Sequence, residues 1–397
     1  MLSVVVIAIV CLPAFFSLVW LVEILAGCVA LRRQGSSVGV ASDTTPPPKT
    51  AVLIPAHNEG TGILPTIRDA QAQLGPDDRI LVVADNCSDD TAAVAQAAGV
   101  EVAVRTDPTR RGKGFALSFG MKHLEREAPD VVVIMDADCR LGDDALPHLA
   151  RSAIATGRPV QALYLMLAPE GAPHSKGVSL FAWRMRNWLR PLGMQLFGLP
   201  TQLFGTGMAF PFGLLKGRDL GNSRLAEDTA LGLALASSGC PPLFASKARI
   251  YSHFPASQAS TERQRQRWEK GQLDNVVELV PAAIVESVRA RNLPLMALAI
   301  DMALPPLSLL VIAIVFSQIL GGIALMLGAP STVVIIPTLS ALLLAIGVAI
   351  GWSVIGRDVL PLRELARLPL HVVEKASLYR MIASGKSTSA WIRTDRK

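Results

Sequence analysis

The sequence predicts an α/β domain with a doubly wound sheet, flanked by one transmembrane helix on its N-terminal side and two on its C-terminal side. Three observations carry this prediction. Long apolar runs stand near both ends of the 397-residue chain. Between them, short β-branched runs alternate with stretches of helical periodicity. Polar or acidic residues follow three of these runs, where the strands of such a sheet would end.

The first apolar segment, residues 1–31, exceeds the roughly 20 apolar residues that span a bilayer. Glu23 is its only charge. A cleaved signal peptide is the alternative, but no basic stretch precedes the apolar run, and the run is longer than usual for such a peptide. Arg32 and Arg33 follow it and place the next segment on the cytoplasmic side. Residues 32–50, with a Gly-Ser-Ser and a triple-proline stretch, predict a linker.

The second apolar block predicts a pair of crossings. Residues 276–304 are predicted to form interfacial helices, and residues 305–355 a transmembrane hairpin. Within the hairpin, Gly328-Ala329-Pro330 predicts a tight turn. Arginines before and after the hairpin place both of its ends on the cytoplasmic side.

Residues 356–397 predict a basic amphipathic tail on the membrane surface, with an ordinary solvated helix as the alternative. With three spans, the chain is expected to be an integral protein of the cell inner membrane. Residues 51–275 would then form a cytoplasmic domain.

The formal net charge of +6 at pH 7 is compatible with nucleic acid, anionic lipid or a phosphorylated substrate as a partner. The cations cluster beside apolar segments and only three tyrosines occur, which favours membrane lipid and argues against nucleic acid. The five cysteines form no CxxC pair and no zinc-like spacing, which predicts free thiols in a reducing compartment.

Within residues 51–275, continuous apolar runs of strand length indicate parallel strands that are buried on both faces. These runs are Ala51–Ile54, Ile80–Ala84, Val100–Val104 and Val131–Met135. Helices are predicted between them at 91–98 and 115–126. The residues after the runs are Pro55–Glu59, Asp85–Ser88 and Asp136–Asp138.

Asp136 and Asp138 are two residues apart at the end of a strand, so both carboxylates fall on one side of the chain. Close carboxylates repel each other unless a cation lies with them. Hard oxygen ligands suit Mg²⁺ or Mn²⁺. Taken alone this pattern is weak, and a solvated turn is the alternative.

Five motifs in this order resemble the family 2 glycosyltransferases, and specifically the membrane-integrated branch that includes cellulose, chitin and hyaluronan synthases. The motifs are Ile54–Glu59, Asp85 in ADNCSDDTA, Asp136-Ala137-Asp138, Glu227-Asp228, and Gln264, Arg267 and Trp268 in the pattern QxxRW. They cover more than half of the chain. The resemblance implies the GT-A fold, a doubly wound mixed sheet, and inverting, metal-dependent sugar transfer from a nucleoside-diphosphate sugar, with UDP expected.

The resemblance also implies roles for individual residues. Asp228 is expected to be the general base, with Glu227 beside it, and Asp138 and Asp136 to hold Mg²⁺ or Mn²⁺. Trp268 and Thr206 are expected to contact the acceptor. Nucleotide-sugar contacts are expected from Pro55, Ala56, Glu59, Asp85, Lys113, Asp136, Gln264, Arg267 and Trp268.

The chemistry of these residue types agrees with the assignments. A diphosphate leaving group gathers negative charge, which a divalent metal, Arg267 and Lys113 would stabilise. A carboxylate within hydrogen-bond reach takes the proton of the attacking hydroxyl. The flat face of Trp268 suits a sugar ring.

The sequence departs from the family pattern at Asn86, where many relatives have a second acid, and at Ala226 before Glu227. Only three spans are visible, whereas autonomous polysaccharide synthases use more helices to build a channel. The acceptor therefore stays open between a lipid-linked or growing polysaccharide acceptor and processive synthesis with coupled translocation. A second copy of the chain and polysaccharide export proteins are further candidate partners.

A non-catalytic nucleotide-sugar-binding subunit of a secretion complex is an alternative function of another class. This alternative predicts that a catalytic acid is missing.

Overall fold

The structure is a computed structural model that describes residues 2–34, 46–168, 176–221, 227–255 and 258–365, with Lys375 and Tyr379. Most of the predicted linker and nearly all of the predicted C-terminal tail lie outside the described residues. The chain divides into two compact units, and the described residues form the following elements. The strands are β1 (Thr50–Ala56), β2 (Arg79–Asp85), β3 (Glu101–Arg105), β4 (Val131–Ile134), β5 (Arg140–Leu141), β6 (Val160–Leu167), β7 (Met208–Pro211) and β8 (Leu243–His253). The helices are α1 (Leu2–Gln34), α2 (Leu64–Gln71), α3 (Thr91–Ala97), α4 (Lys113–Leu124), α5 (Ala145–Thr156), α6 (Lys176–Arg184), α7 (Arg190–Leu196), α8 (Phe212–Leu215), α9 (Glu227–Ser237), α10 (Gln258–Arg289), α11 (Leu293–Ala303), α12 (Leu307–Met326), α13 (Thr332–Ile355) and α14 (Leu362–Leu365).

The larger unit contains one sheet with the strand order β3-β2-β1-β4-β7-β6-β8-β5. Strands β3, β2, β1 and β4 run parallel to one another, and β7 is antiparallel to both β4 and β6. Strand β8 is parallel to β6 and antiparallel to β5. The predicted doubly wound α/β sheet is therefore confirmed, and the sheet is mixed.

The four strands predicted from continuous apolar runs are β1 to β4. Every residue of β1 and of β4 is buried, as expected for parallel strands that are covered on both faces. Leu53, Leu81 and Val132 form a core with Leu117 and Met121 of helix α4. Burial of each such side chain contributes about 1.5–3 kcal/mol. This packing holds the carboxyl ends of β1, β2 and β4 at one edge of the sheet.

The smaller unit contains the three apolar helices. Val6–Arg33 of α1, Leu307–Met326 and Thr332–Ile355 are long and apolar enough to cross a membrane. The expectation of one N-terminal and two C-terminal apolar helices is confirmed. Residues 176–198, predicted to belong to the domain at 51–275, group with these helices. Helix α1 packs against α7, α12 and α13.

A close backbone contact joins α1 to α7. A Cβ atom on Gly193 would lie 2.1 Å from the backbone oxygen of Glu23, so only glycine fits at this position. The predicted first span therefore packs against α7. Along the chain, α7 lies between β6 and β7, two strands of the larger unit.

Arg190 provides the partner of the single charge in the first span. Its guanidinium donates to Glu23 Oε2 at 2.6 Å and to the carboxylate of Asp301, and all three side chains are buried. Charged side chains removed from water need such partners, because an isolated buried charge loses its hydration without compensation.

We expect Arg190→Met to destabilise the protein by about 3–5 kcal/mol, because it leaves buried carboxylate charge without its guanidinium. The matched control is Arg184→Met, whose partner Asp358 is exposed and whose ion pair is worth about 1 kcal/mol or less. Thermal unfolding of both variants in detergent measures the difference. Equal losses of stability would contradict the assignment.

Candidate active site

The Lys113 ammonium lies at the centre of the acidic residues. Lys113 is the first residue of α4. It donates hydrogen bonds to the Asp136 carboxylate and, at 2.7 Å, to the backbone oxygen of Gly205, and it lies 4.0 Å from Glu227. Burial acts to lower the pKa of Lys113, but the charges of Asp136, Glu227 and Asp228 raise it above its ordinary value. The amine is therefore charged at neutral pH.

The loop before β7 presents its backbone to this ammonium. Gly205 has a φ of +83°, which favours glycine, and a Cβ there would lie 3.3 Å from Asp228 Oδ2 and 3.5 Å from Lys113 Nζ. The buried Gln161 holds the loop, since it accepts a hydrogen bond from Phe204 N at 2.8 Å and donates to Thr206 O at 3.0 Å. Gln161 was not among the site residues predicted from the sequence.

Thr206, predicted to contact the acceptor, is completely buried. Its hydroxyl accepts a hydrogen bond from Asp136 N at 3.0 Å and lies 3.4 Å from Cys139 Sγ. The described contacts of Thr206 therefore position the turn that carries Asp136, and its acceptor role stays a prediction.

Asp136, Asp138 and Cys139 place one ligand atom each within 4.8 Å of one another. The two carboxylates offer the hard oxygen donors that Mg²⁺ and Mn²⁺ prefer, whereas the Cys139 sulfur is buried and soft. About a third of the Asp136 side chain is exposed, so a ligand can reach it. The residues present fit a divalent ion that is bound through Asp136 and Asp138.

Glu227 and Asp228 begin helix α9. Burial raises the pKa of Glu227 to about 7; Lys113 opposes this rise and the Asp228 charge adds to it. The structure thus brings four of the predicted site residues together: Lys113, Asp136, Glu227 and Asp228. Three carboxylates face one ammonium, so this group carries an excess of negative charge.

Asp85 ends β2 and is completely buried. Arg105 donates to its Oδ1 at 2.5 Å, and among the described residues Asp85 Oδ2 has no hydrogen-bond partner. Arg105 also donates to the backbone oxygen of Arg110 at 2.8 Å and lies 5.7 Å from the ring centre of Phe115. Asp85, predicted to contact the nucleotide sugar, is thus paired with an arginine inside the protein.

Arg105 was not among the residues predicted from the sequence, although its position carries one signal. Arg105 ends an apolar run, as Asp85 ends the neighbouring one, and the parallel register pairs these two residues directly.

The departure from the family pattern at Asn86 has a structural explanation. Its side-chain oxygen accepts a hydrogen bond from Asp107 N at 2.8 Å and so joins the ends of β2 and β3.

The β1 motif lies at the same edge of the sheet. Pro55 and Ala56 are buried within the strand. His57 Nδ1 lies 2.7 Å from the backbone oxygen of Asp85. Glu59 is half-buried, and its backbone N–H donates to Thr91 Oγ1 at 2.9 Å. Their nucleotide contacts stay predictions.

Gln264, Arg267 and Trp268 lie on helix α10. Gln264 is buried, and its Oε1 has no hydrogen-bond partner among the described residues. Arg267 and Trp268 are half-buried. The predicted nucleotide-sugar contacts of these three residues, and the predicted acceptor contact of Trp268, stay predictions.

Comparison with known proteins now identifies the family. Residues 46–271, more than half of the chain, match the family model described as glycosyltransferase like family 2. The chain belongs to this family. This glycosyltransferase-family chain is 26% identical over 249 residues to the probable glycosyltransferase YdaM of Bacillus subtilis (strain 168). The match covers 56% of this chain and 55% of that protein, so it spans about half of the relative's length.

A solved structure shares the fold. The mannosyltransferase PcManGT of Pyrobaculum calidifontis, in complex with GDP-Man and Mn²⁺, aligns with a TM-score of 0.51 at 19% identity. The alignment covers 88% of this chain and 98% of that one. The predicted GT-A-like fold is confirmed, as is the predicted enzyme class at the level of the family.

The raised pKa of Glu227 predicts a pH dependence of stability. Because the folded-state pKa of about 7 exceeds the ordinary value of 4.5, folding takes up a proton between these values. Glu227 therefore destabilises the fold increasingly as the pH rises towards and through 7. We expect Glu227→Gln to reduce the loss of stability between about pH 5 and pH 8 by about 2 kcal/mol. Denaturant unfolding with a chelator present measures it, and an unchanged pH profile would contradict the prediction.

Proposed function

We propose that this chain transfers a sugar, with inversion, from a nucleoside-diphosphate sugar to a lipid-linked or growing polysaccharide acceptor at the cytoplasmic face of the membrane. One observation carries the proposal: the Lys113 ammonium lies between Asp136, one of the two carboxylates that would hold a divalent ion, and the acid pair Glu227 and Asp228. This group lies where the parallel strands end, which is where such sheets bind ligands.

The donor side of the proposal rests on charge. A departing nucleoside diphosphate gathers negative charge, and Lys113 and Arg267 are proposed to stabilise it. Asp136 and Asp138 would hold Mg²⁺ or Mn²⁺, which would neutralise the diphosphate as a Lewis acid. PcManGT was solved with GDP-Man and Mn²⁺, so a guanine donor is tested beside the expected UDP donor.

The acceptor hydroxyl must lose a proton as it attacks the anomeric carbon. We assign this proton to Asp228, the residue that the resemblance implies as the general base, with Glu227 beside it at the start of α9. Direct attack opposite the leaving group inverts the anomeric carbon. Trp268 is proposed to stack on the sugar, and Gln264 to position the helix around it.

The membrane part of the proposal rests on the apolar helices and on one face of α10. Val277, Pro281, Val285 and Val288, here called the α10 stripe, are spaced to share one helix face and are exposed. A different face of α10 buries Val280, Ala283 and Ser287.

We propose that the α10 stripe lies in the membrane interface, as the prediction for 276–304 requires. Arg289 and Arg291 follow it and are exposed, which suits anionic headgroups, and the span of α12 begins at Leu307. The residues Gln264, Arg267 and Trp268 on the same helix resemble the QxxRW motif of the synthase branch, which supports this part of the proposal. The three apolar helices found in the described part of the chain favour transfer to a lipid-linked or growing acceptor over a self-contained channel.

We expect Asp228→Asn to lower the turnover rate about 10²–10⁴-fold while nucleotide binding persists, because only the proton acceptor is lost. Nucleotide release is measured with UDP-sugars and GDP-sugars in the presence of Mn²⁺ or Mg²⁺. Asp77→Asn, at an exposed turn, is the matched control. Transfer by the Asp228→Asn variant at the unaltered rate would refute the assignment of the base.

A photoreactive phenylalanine at position 288 is expected to crosslink to phospholipid in proteoliposomes, because the α10 stripe would contact the bilayer. The same probe at Val104 is the control, since Val104 is exposed to the same extent on the edge strand β3. Mass spectrometry counts the lipid adducts. Equal yields at the two positions would argue against the interfacial placement.

A further inference from the structure

Lys113 and a divalent ion need the same carboxylate. The Lys113 ammonium donates to Asp136, while Asp136 is also one of the three residues whose ligand atoms lie within 4.8 Å of one another. The second hydrogen bond of the ammonium goes to the Gly205 carbonyl at 2.7 Å, and Glu227 lies 4.0 Å away. Each of these contacts is one that a bound cation would make.

We propose that Lys113 is a resident cation that competes with the divalent ion for Asp136 until a nucleoside diphosphate takes over its charge. This inference rests on the proposed function, because it requires a metal-dependent diphosphate donor. In this proposal Lys113 couples the binding of the divalent ion to the binding of the nucleotide, in addition to contacting the nucleotide.

Electrostatics predicts the direction of the coupling. An ammonium and a divalent ion on one carboxylate repel each other, and the repulsion is strong because the site is largely shielded from water. A diphosphate offers the ammonium new oxygen partners and so frees Asp136 for the ion. The metal should therefore bind weakly alone and tightly with the nucleotide, and linkage makes this effect reciprocal.

The local structure lets Lys113 change partners. Lysine carries a compact charge on a flexible stem, unlike the planar arginine fork. Gly112, with a φ of +138°, precedes it at the start of α4. The carbonyl of Gly205 is held independently by the bonds of Gln161 to its loop. Movement of the ammonium therefore need not disturb the loop.

The test measures Mn²⁺ binding by the full chain in detergent, from the electron paramagnetic resonance signal of free Mn²⁺, with no nucleotide, with UDP and with GDP. In the unaltered protein, one of the nucleotides should tighten Mn²⁺ binding about 5–150-fold. Lys113→Met should bind Mn²⁺ about tenfold more tightly than the unaltered protein without nucleotide, with most of the coupling lost. Lys122→Met, on the exposed side of the same helix, should behave as the unaltered protein.

The outcomes separate this inference from the proposed function. If Lys113→Met binds Mn²⁺ no more tightly than the unaltered protein, the competition is refuted while the metal site stands. If the unaltered protein binds Mn²⁺ equally with and without nucleotide, the coupling is refuted without reference to any variant. If Mn²⁺ does not bind although UDP or GDP does, both this inference and the metal dependence fail. If neither nucleotide binds, the proposed function itself fails.

Discussion

The ion contact between Lys113 and Asp136 holds the site together, because it joins segments that are distant along the chain. The same ammonium reaches the Gly205 carbonyl, 92 residues away, and lies beside Glu227 at the start of α9. The sheet makes this contact possible. Parallel strands end at one edge, so the residues that follow them meet there whatever their separation in sequence.

In each unit, a buried charged side chain is paired with a side chain of opposite charge. Asp85 is buried against Arg105 in the larger unit, and Glu23 is buried against Arg190 in the smaller one. A charge that leaves water loses its hydration and needs an opposite charge nearby. Around Lys113 the charges are only partly compensated, because three carboxylates face one ammonium. That excess of negative charge favours the binding of a divalent ion. It also indicates a functional site and not a purely structural ion pair.

The elements that could be predicted from the sequence are those whose own residues carry a strong pattern. β1 to β4 are continuous apolar runs, and the three long helices are apolar throughout. The remaining strands have weaker patterns: β5 has two residues, and β8 includes charged side chains. Residues 176–198 contain arginines, so their sequence does not predict that they pack with the apolar helices. The acidic partners of these arginines, Glu23 and Asp358, are distant in sequence.

The sequence by itself determined the residue types, their order and hence the family: acids after strands, a QxxRW helix and three apolar helices. Only the tertiary structure decided which charges meet. Arg105 pairs with Asp85 through the register of two strands, and the buried Thr206 hydroxyl accepts a hydrogen bond from the backbone of Asp136. The physical reason is that a charge or hydroxyl is stabilised by whatever lies within about 3 Å of it in space. Local sequence patterns fix helices and strands, but they do not encode those distances.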